Sequence, residues 1–333
     1  MRLPDFEYIS PGNLDEALDA LARAGDDGAV LAGGTDLLVR MKQGLAGPRL
    51  LVSLKNIEGL SYVRREENAL KIGARTSLAD ILCSDEAGGF FPALARAAKS
   101  VGAFSLQRHQ GTIGGNICQD NRCKYYNQSA FFRSARQACH KAGGKICYAR
   151  DGSDRCRSTC RSDLGPVLMA LDARAVLTGK DGQRTVSVED FYASEGENPI
   201  AVAPHELLTE IQIPFPEKKP GNAYHRLAFR SAIDYPIVCA AVSLEASDGN
   251  VSKARLTVGA VGSAPLLLLS ASKRLEGPWS PEKIGEAAKM AMDTASAFAV
   301  DNVAAPVEYR IQMIAVMAKR AIEEAAGMAL GKV

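Results

Sequence analysis

The sequence predicts an α+β protein built in two parts, and three observations carry that expectation. Its 333 residues, 47% hydrophobic and 23% charged, suffice for about two ordinary globular domains. Short apolar strands alternate with helix-periodic segments through the first two thirds of the chain. Beyond Pro214-Phe215-Pro216-Glu217-Lys218-Lys219-Pro220-Gly221, dense in residues that stop regular structure, the pattern changes to three strands followed by two helices. Strands grouped apart from helices point to a C-terminal three-stranded antiparallel sheet with helices packed against it.

Asn13 or Ser10 can cap a helix over 14–21, with Asp15 and Glu16 in its first turn. A strand over 29–31 runs straight into Ala32-Gly33-Gly34-Thr35-Asp36, and another is predicted at 50–54. A strand at 70–72 and helices around 77–83 and 91–101 lead to a second glycine segment, Thr112-Ile113-Gly114-Gly115-Asn116. Apolar patterning returns at 164–171, with strands near 173–178 and 207–213. After the linker, strands are expected at 223–231, 235–246 and 251–262, Asp248-Gly249 turning the last hairpin. The closing helices start at Ser280-Pro281 and at Pro306; the second carries Ile311, Ile314, Ala315, Ala318 and Ile322 at helical spacing.

Forty Lys+Arg against 38 Asp+Glu leave a net charge of +2, too balanced for a general nucleic-acid or membrane-surface binder. No apolar run approaches the roughly 20 residues of a spanning helix, and residues 1–7 lack a signal peptide's apolar core. The expected compartment is therefore the cytoplasm. The four histidines (109, 140, 205 and 225) are scattered, and no nucleophile–base arrangement stands out. No catalytic acid, base or nucleophile is expected on this chain; its chemistry would be redox.

A strand that ends in Gly-Gly can present consecutive backbone N–H groups to an anion, because glycine accepts positive φ and has no side chain in the way. Two such turns could grip a dinucleotide pyrophosphate from two sides. Neither has the Rossmann spacing or the Walker lysine, so a nicotinamide or ATP site has no support.

Six of the eight cysteines (118, 123, 139, 147, 156 and 160) lie between Cys118 and Cys160, together with nine Lys/Arg and three Asp. Without an export signal, clustered thiols suggest metal rather than disulfides. Spacing alone admits either an iron–sulfur cluster or structural zinc, with Cys118/Cys123 and Cys156/Cys160 as two close pairs.

Ala32-Gly33-Gly34-Thr35-Asp36 and Thr112-Ile113-Gly114-Gly115-Asn116 resemble the two pyrophosphate-binding turns of the FAD-binding medium subunits of molybdenum hydroxylases (the xanthine dehydrogenase family). Ser162-Asp163-Leu164-Gly165-Pro166 resembles their next flavin-contacting stretch. The segment from Ala223, with Gly259-Ala260-Val261-Gly262-Ser263-Ala264-Pro265, is similar to their C-terminal domain. The resemblance implies a two-part FAD-binding domain of the vanillyl-alcohol-oxidase/CO-dehydrogenase flavoprotein type over 1–218, split near 57, and a C-terminal α+β domain over 222–333. It further implies that FAD contacts Ala29, Val30, Leu31, Ala32, Gly33, Gly34, Thr35, Asp36, Thr112, Ile113, Gly114, Gly115, Asn116 and Asp163, and also Gly102, Leu208 and Arg226. Arg226 would be a cation near the flavin N1 and O2.

About 40 additional residues, 117–161, set the chain apart from most of that family. The insertion is similar to one in the middle subunit of 4-hydroxybenzoyl-CoA reductase, from Gly114-Gly115-Asn116-Ile117-Cys118-Gln119-Asp120 through Tyr126-Asn127-Gln128-Ser129. This likeness implies a [4Fe–4S] cluster on Cys123, Cys139, Cys147 and Cys156, leaving Cys118 and Cys160 over. It also implies a small [2Fe–2S] partner, a large molybdenum-cofactor partner and a dimer of such heterotrimers. Electrons would pass from a ferredoxin-like donor through [4Fe–4S], FAD and [2Fe–2S] to molybdenum, where an aromatic hydroxyl is removed. The basic insertion would give an acidic donor a landing site, with Arg133 and Arg136 as candidates. The same family also implies an alternative, a hydroxylase that oxidises another aromatic or N-heterocyclic substrate. A zinc-stapled binding module without flavin is the non-enzymatic rival.

Overall fold

The computed structural model describes residues 2–66 and 68–331. Three sheets make up the fold, each with its helices, in the α+β arrangement the sequence predicts. The first is parallel: strand Leu50–Ser53 lies between Glu7–Ile9 and Gly28–Leu31. Helix Leu14–Ala24 packs on it through Ala17, Leu18, Ala20 and Leu21, and the Asn13 side chain caps that helix by accepting from the Glu16 amide.

The second sheet is antiparallel, in the order Val63–Glu66, Ala69–Gly73, Leu207–Pro214, Arg174–Gly179, Gly182–Ser187. Its core takes in helices Leu78–Cys83, Asp85–Phe90, Pro92–Ser100 and the fully buried Leu164–Ala170. Tyr224, Cys239, Ala241, Ala260 and Ala264 from beyond the linker join this same core, so the C-terminal part is packed onto the rest.

The third sheet has three long antiparallel strands, Gly221–Leu227, Val238–Ser247 and Asn250–Gly259, with two-residue strands Leu266–Leu267 and Gly277–Pro278 added to the last. Asp248 and Gly249 have φ of 53° and 76°, the two positive values of a tight hairpin turn. Helices Glu282–Ala295 and Val307–Leu330 back the sheet.

Two expectations differ from the fold. The predicted strand 223–231 stops at Leu227 and its neighbour starts only at Val238. Between them the Asp234 carboxylate accepts from the backbone N–H groups of Arg230 (3.0 Å) and Tyr235 (2.8 Å). That local turn replaces ladder hydrogen bonds. The second glycine segment is likewise no open turn: Ile113–Ile117 is a short helix capped by Thr112. The amides of Ile113 and Gly114 donate to Thr76 O and Ala74 O, Gly115 donates to Thr112 Oγ1, and Asn116 to Thr112 O. Gly114 is required there by close packing, since a Cβ would stand 2.7 Å from Ala74 O.

Candidate functional site

The carboxyl end of strand Gly28–Leu31 opens into a cleft with two chambers. In a parallel sheet that end is where ligands bind. The first chamber, about 300 Å³, is lined by 29–37, Arg40, Thr112, Gly114, Gly115, Cys118, Gln119 and the 206–208 stretch. The second, about 250 Å³, lies between Gly102, Gly111, Asn116, Arg161, Asp163 and the Ile233-Asp234-Tyr235 turn. Thr35, Asp36, Thr112, Gly115 and Gln119 line both, so these residues form the waist of one elongated site.

Gly33 makes this geometry possible. A Cβ there would be 1.7 Å from Gln110 O, so only glycine lets the first segment lie against the chain leading to the second. Gly34 takes the left-handed conformation (φ 69°). Among the described residues no acceptor takes the amides of Gly33, Gly34 and Thr35, which leaves donors for an anion at the waist. The donor surface expected from both glycine segments therefore resides in the first. The second supplies a capped helix start and room.

Most of the sequence-derived candidates converge on this cleft. Ala29 to Asp36, Thr112, Gly114, Gly115 and Leu208 line the first chamber; Gly102, Asn116 and Asp163 line the second. Two do not. Ile113 is fully buried core. Arg226 lines neither chamber: it donates to Ser100 O and to Asp234 O (2.8 Å) and stands 3.2 Å from Asp163 Oδ1. Its donors are engaged by protein, and it orients Asp163. Sequence reasoning missed Arg161, Gln119 and Tyr235. Only the position of Arg161, directly before Ser162-Asp163, hinted at its place.

Asp163 also accepts from the Tyr224 hydroxyl (2.6 Å). Burial pushes its carboxyl up to about 6 from 3.8, against the opposing pull of Arg226, Tyr224 and Arg161. A carboxyl with a raised folded-state pKa contributes stability that is full below about pH 3.8 and lost as pH rises through about 6. That difference amounts to at most on the order of 3 kcal/mol. Between pH 4 and 6.5, urea unfolding should therefore show Asp163→Asn gaining on the wild type. Parallel stability curves would overturn this reading of the carboxyl.

The inserted loop is tied to the waist. Arg122 pairs with Asp36, and its guanidinium lies 5.4 Å from the centre of the Tyr235 ring. Arg40 and Lys141 reach Asp120 at 3.1 and 2.7 Å. Within the loop, Cys139 is bridged to Ile146 across a turn at Gly143 (φ 81°), which brings Cys147 near it. Cys156 is anchored by its amide, which donates to Glu197 Oε1 (3.0 Å). Burial pushes the Cys123 thiol up to about 11, and nearby Cys156 and Cys147 add to the shift.

All eight cysteines are free. Among the described residues no three His, Cys, Asp or Glu gather closely enough for a single ion. Cys123, Cys139, Cys147 and Cys156, the expected cluster ligands, are therefore not gathered into one such group, and neither are the pairs Cys118/Cys123 and Cys156/Cys160. His140 is turned to Ser153 O (3.0 Å). Arg133 donates to Gln128 O and Gly44 O, so of the two expected docking cations only Arg136 is exposed.

Fold and cleft together define a dinucleotide-binding redox subunit. The chain belongs to the family of FAD-binding medium subunits of molybdopterin dehydrogenases: the family's FAD-binding domain matches residues 4–216, and the CO dehydrogenase flavoprotein C-terminal domain matches 223–325. It is 31% identical to the carbon monoxide dehydrogenase medium chain of Afipia carboxidovorans over 320 residues, 96% of each chain. It is 27% identical to the 6-hydroxypseudooxynicotine dehydrogenase complex subunit alpha of Paenarthrobacter nicotinovorans, over 98% of this chain and 96% of that one. The carbon monoxide dehydrogenase structure from Hydrogenophaga pseudoflava superimposes with a TM-score of 0.80 at 27% identity, covering 98% of both chains. FAD is the cofactor of the family's domain.

Proposed function

We propose that this chain is the FAD and [4Fe–4S] electron-transfer subunit of a three-subunit molybdenum enzyme of the 4-hydroxybenzoyl-CoA reductase type. The observation that carries it is the thiol-rich loop seated on the waist of the FAD cleft, through Arg122 between Asp36 and Tyr235. In this reading the first chamber and the free amides of Gly33 to Thr35 hold the nucleotide and pyrophosphate. The second chamber holds the ring, with Val101, Ile233 and Tyr235 as its apolar walls. Bound FAD supplies electron exchange, and the protein positions it and sets its electrostatics. Cys123, Cys139, Cys147 and Cys156 hold the cluster. The domains are those at 1–218 and 222–333, and the partners are a [2Fe–2S] subunit and a molybdenum-cofactor subunit. A ferredoxin-like donor is drawn to the exposed Arg136, Lys145, Arg150 and Arg155.

A second reading, a hydroxylase in which electrons leave through FAD, is favoured by relatives whose names specify nicotine 6-hydroxylase and caffeine dehydrogenase. Turnover in both directions with the partner subunits, beside iron, sulfide, molybdenum and flavin content, separates the two. Cys139→Ser or Cys147→Ser should abolish the [4Fe–4S] signal while FAD stays, because the glycine segments lie outside the loop. Unchanged iron in both variants would end the cluster assignment.

A further inference from the structure

We propose that Arg161 is the cation that stabilises the negative charge of the reduced flavin ring in the second chamber. The proposal rests on the reading of the cleft as the FAD site. Arg161 is 8% exposed and lines that chamber. It donates from Nη1 to Pro236 O, its Nε has no partner, and among the described residues no carboxylate lies within ion-pair distance of it. The other cations close to the cleft are matched: Arg226 by Asp163, Arg122 by Asp36, Arg40 by Asp120. The adjacent Asp234 carboxylate is held by the amides of Arg230 and Tyr235.

A buried guanidinium without an ion-pair partner is costly, and an anion in the chamber offsets the cost. Burial and the nearby Arg310 lower its pKa to about 10, so it stays charged at neutral pH. The oxidised flavin ring is neutral. Two electrons from the redox partners and one proton convert it to a ring with one net negative charge, spread over N1 and the C2 carbonyl. A fixed cation beside the ring favours that product over the oxidised form and raises the midpoint potential. The pyrophosphate, the other anion of FAD, carries the same charge in both redox states, so a cation paired with it changes affinity without changing potential.

The test uses the FAD-loaded chain purified with its partner subunits, as wild type, Arg161→Met and Arg161→Lys. Sodium sulfite, whose adduct at N5 also places negative charge on the ring, serves as the probe alongside a dithionite titration. Arg161→Met should weaken sulfite binding by about tenfold and lower the flavin potential by about 30 mV, the equivalent of tenfold for a two-electron couple. FAD content should be unchanged, and Arg161→Lys should recover most of both effects. Loss of FAD affinity at constant potential would assign Arg161 to the pyrophosphate and overturn the proposal. Constant potential and constant sulfite affinity would overturn it as well. If Arg161→Met does not fold, Arg161→Lys and Arg161→Gln are compared by the same two readouts. Absence of FAD from the wild type would instead sink the cleft assignment itself.

Discussion

Gly115→Val is expected to release FAD, weakening its binding by about 100-fold or more, while the apoprotein unfolds within a few degrees of the wild type. Gly115 faces the waist shared by the two chambers. A Cβ there meets only Thr112 Oγ1, at 3.0 Å, with otherwise open space around it. A valine side chain would grow into that space instead of into protein, and φ at this position is not positive, so the backbone accepts it. Loss of about 3 kcal/mol of binding corresponds to about 100-fold. Gly33 is the wrong position for this experiment: even alanine would collide with Gln110 O, and the fold would fail along with the site. Flavin titration beside circular dichroism checks the result; stoichiometric FAD in folded Gly115→Val would remove the cleft from consideration.

Arg310→Met should cost about 3 kcal/mol or more of folding stability, because a buried donor set is removed and its acceptors are left unpaired. The side chain is fully buried. It donates to Val300 O (2.7 Å), Ala260 O (2.8 Å) and Asn302 Oδ1 (3.1 Å). Asn302 in turn supports the insertion: its side chain donates to Arg157 O and its carbonyl accepts from the Lys124 amide. The destabilisation should therefore reach the inserted loop, and limited proteolysis should cut the insertion first. An unfolding free energy from denaturant titration within about 1 kcal/mol of the wild type would show that the guanidinium's desolvation cancels its hydrogen bonds.

Much of this was legible in the residues. The capped first helix, the strand running into Gly33-Gly34, the Asp248-Gly249 hairpin and the Pro306 helix start each rest on local chemistry, and each stands where that chemistry puts it. The site was legible as two segments, because glycine at a strand end announces a close approach. What could not be read was tertiary. Whether an N–H is free depends on distant carbonyls, and those of Thr76 and Ala74 occupy the amides of Ile113 and Gly114. Arg226 and Arg161 look alike along the chain. Only the fold shows that the first has Asp163 for an ion-pair partner and that, among the described residues, the second has no carboxylate within that distance. Arg310 lies one turn before Ile314 on the buried face of its helix, but a charge among apolar positions gives no sign of which carbonyls wait for it.

The two ends of the inserted loop are clasped to each other. Asn116 Oδ1, just before it, accepts from Ser162 Oγ (2.7 Å) and from the Leu164 amide (3.2 Å), just after it. A chain whose exit and return points already touch can carry a segment of almost any length between them. Closure entropy grows only logarithmically, by about 0.6 kcal/mol for each doubling of the loop. In evolutionary terms the frame is a socket: a thiol-bearing segment can be acquired or shed at this junction without re-registering a strand of the surrounding sheets.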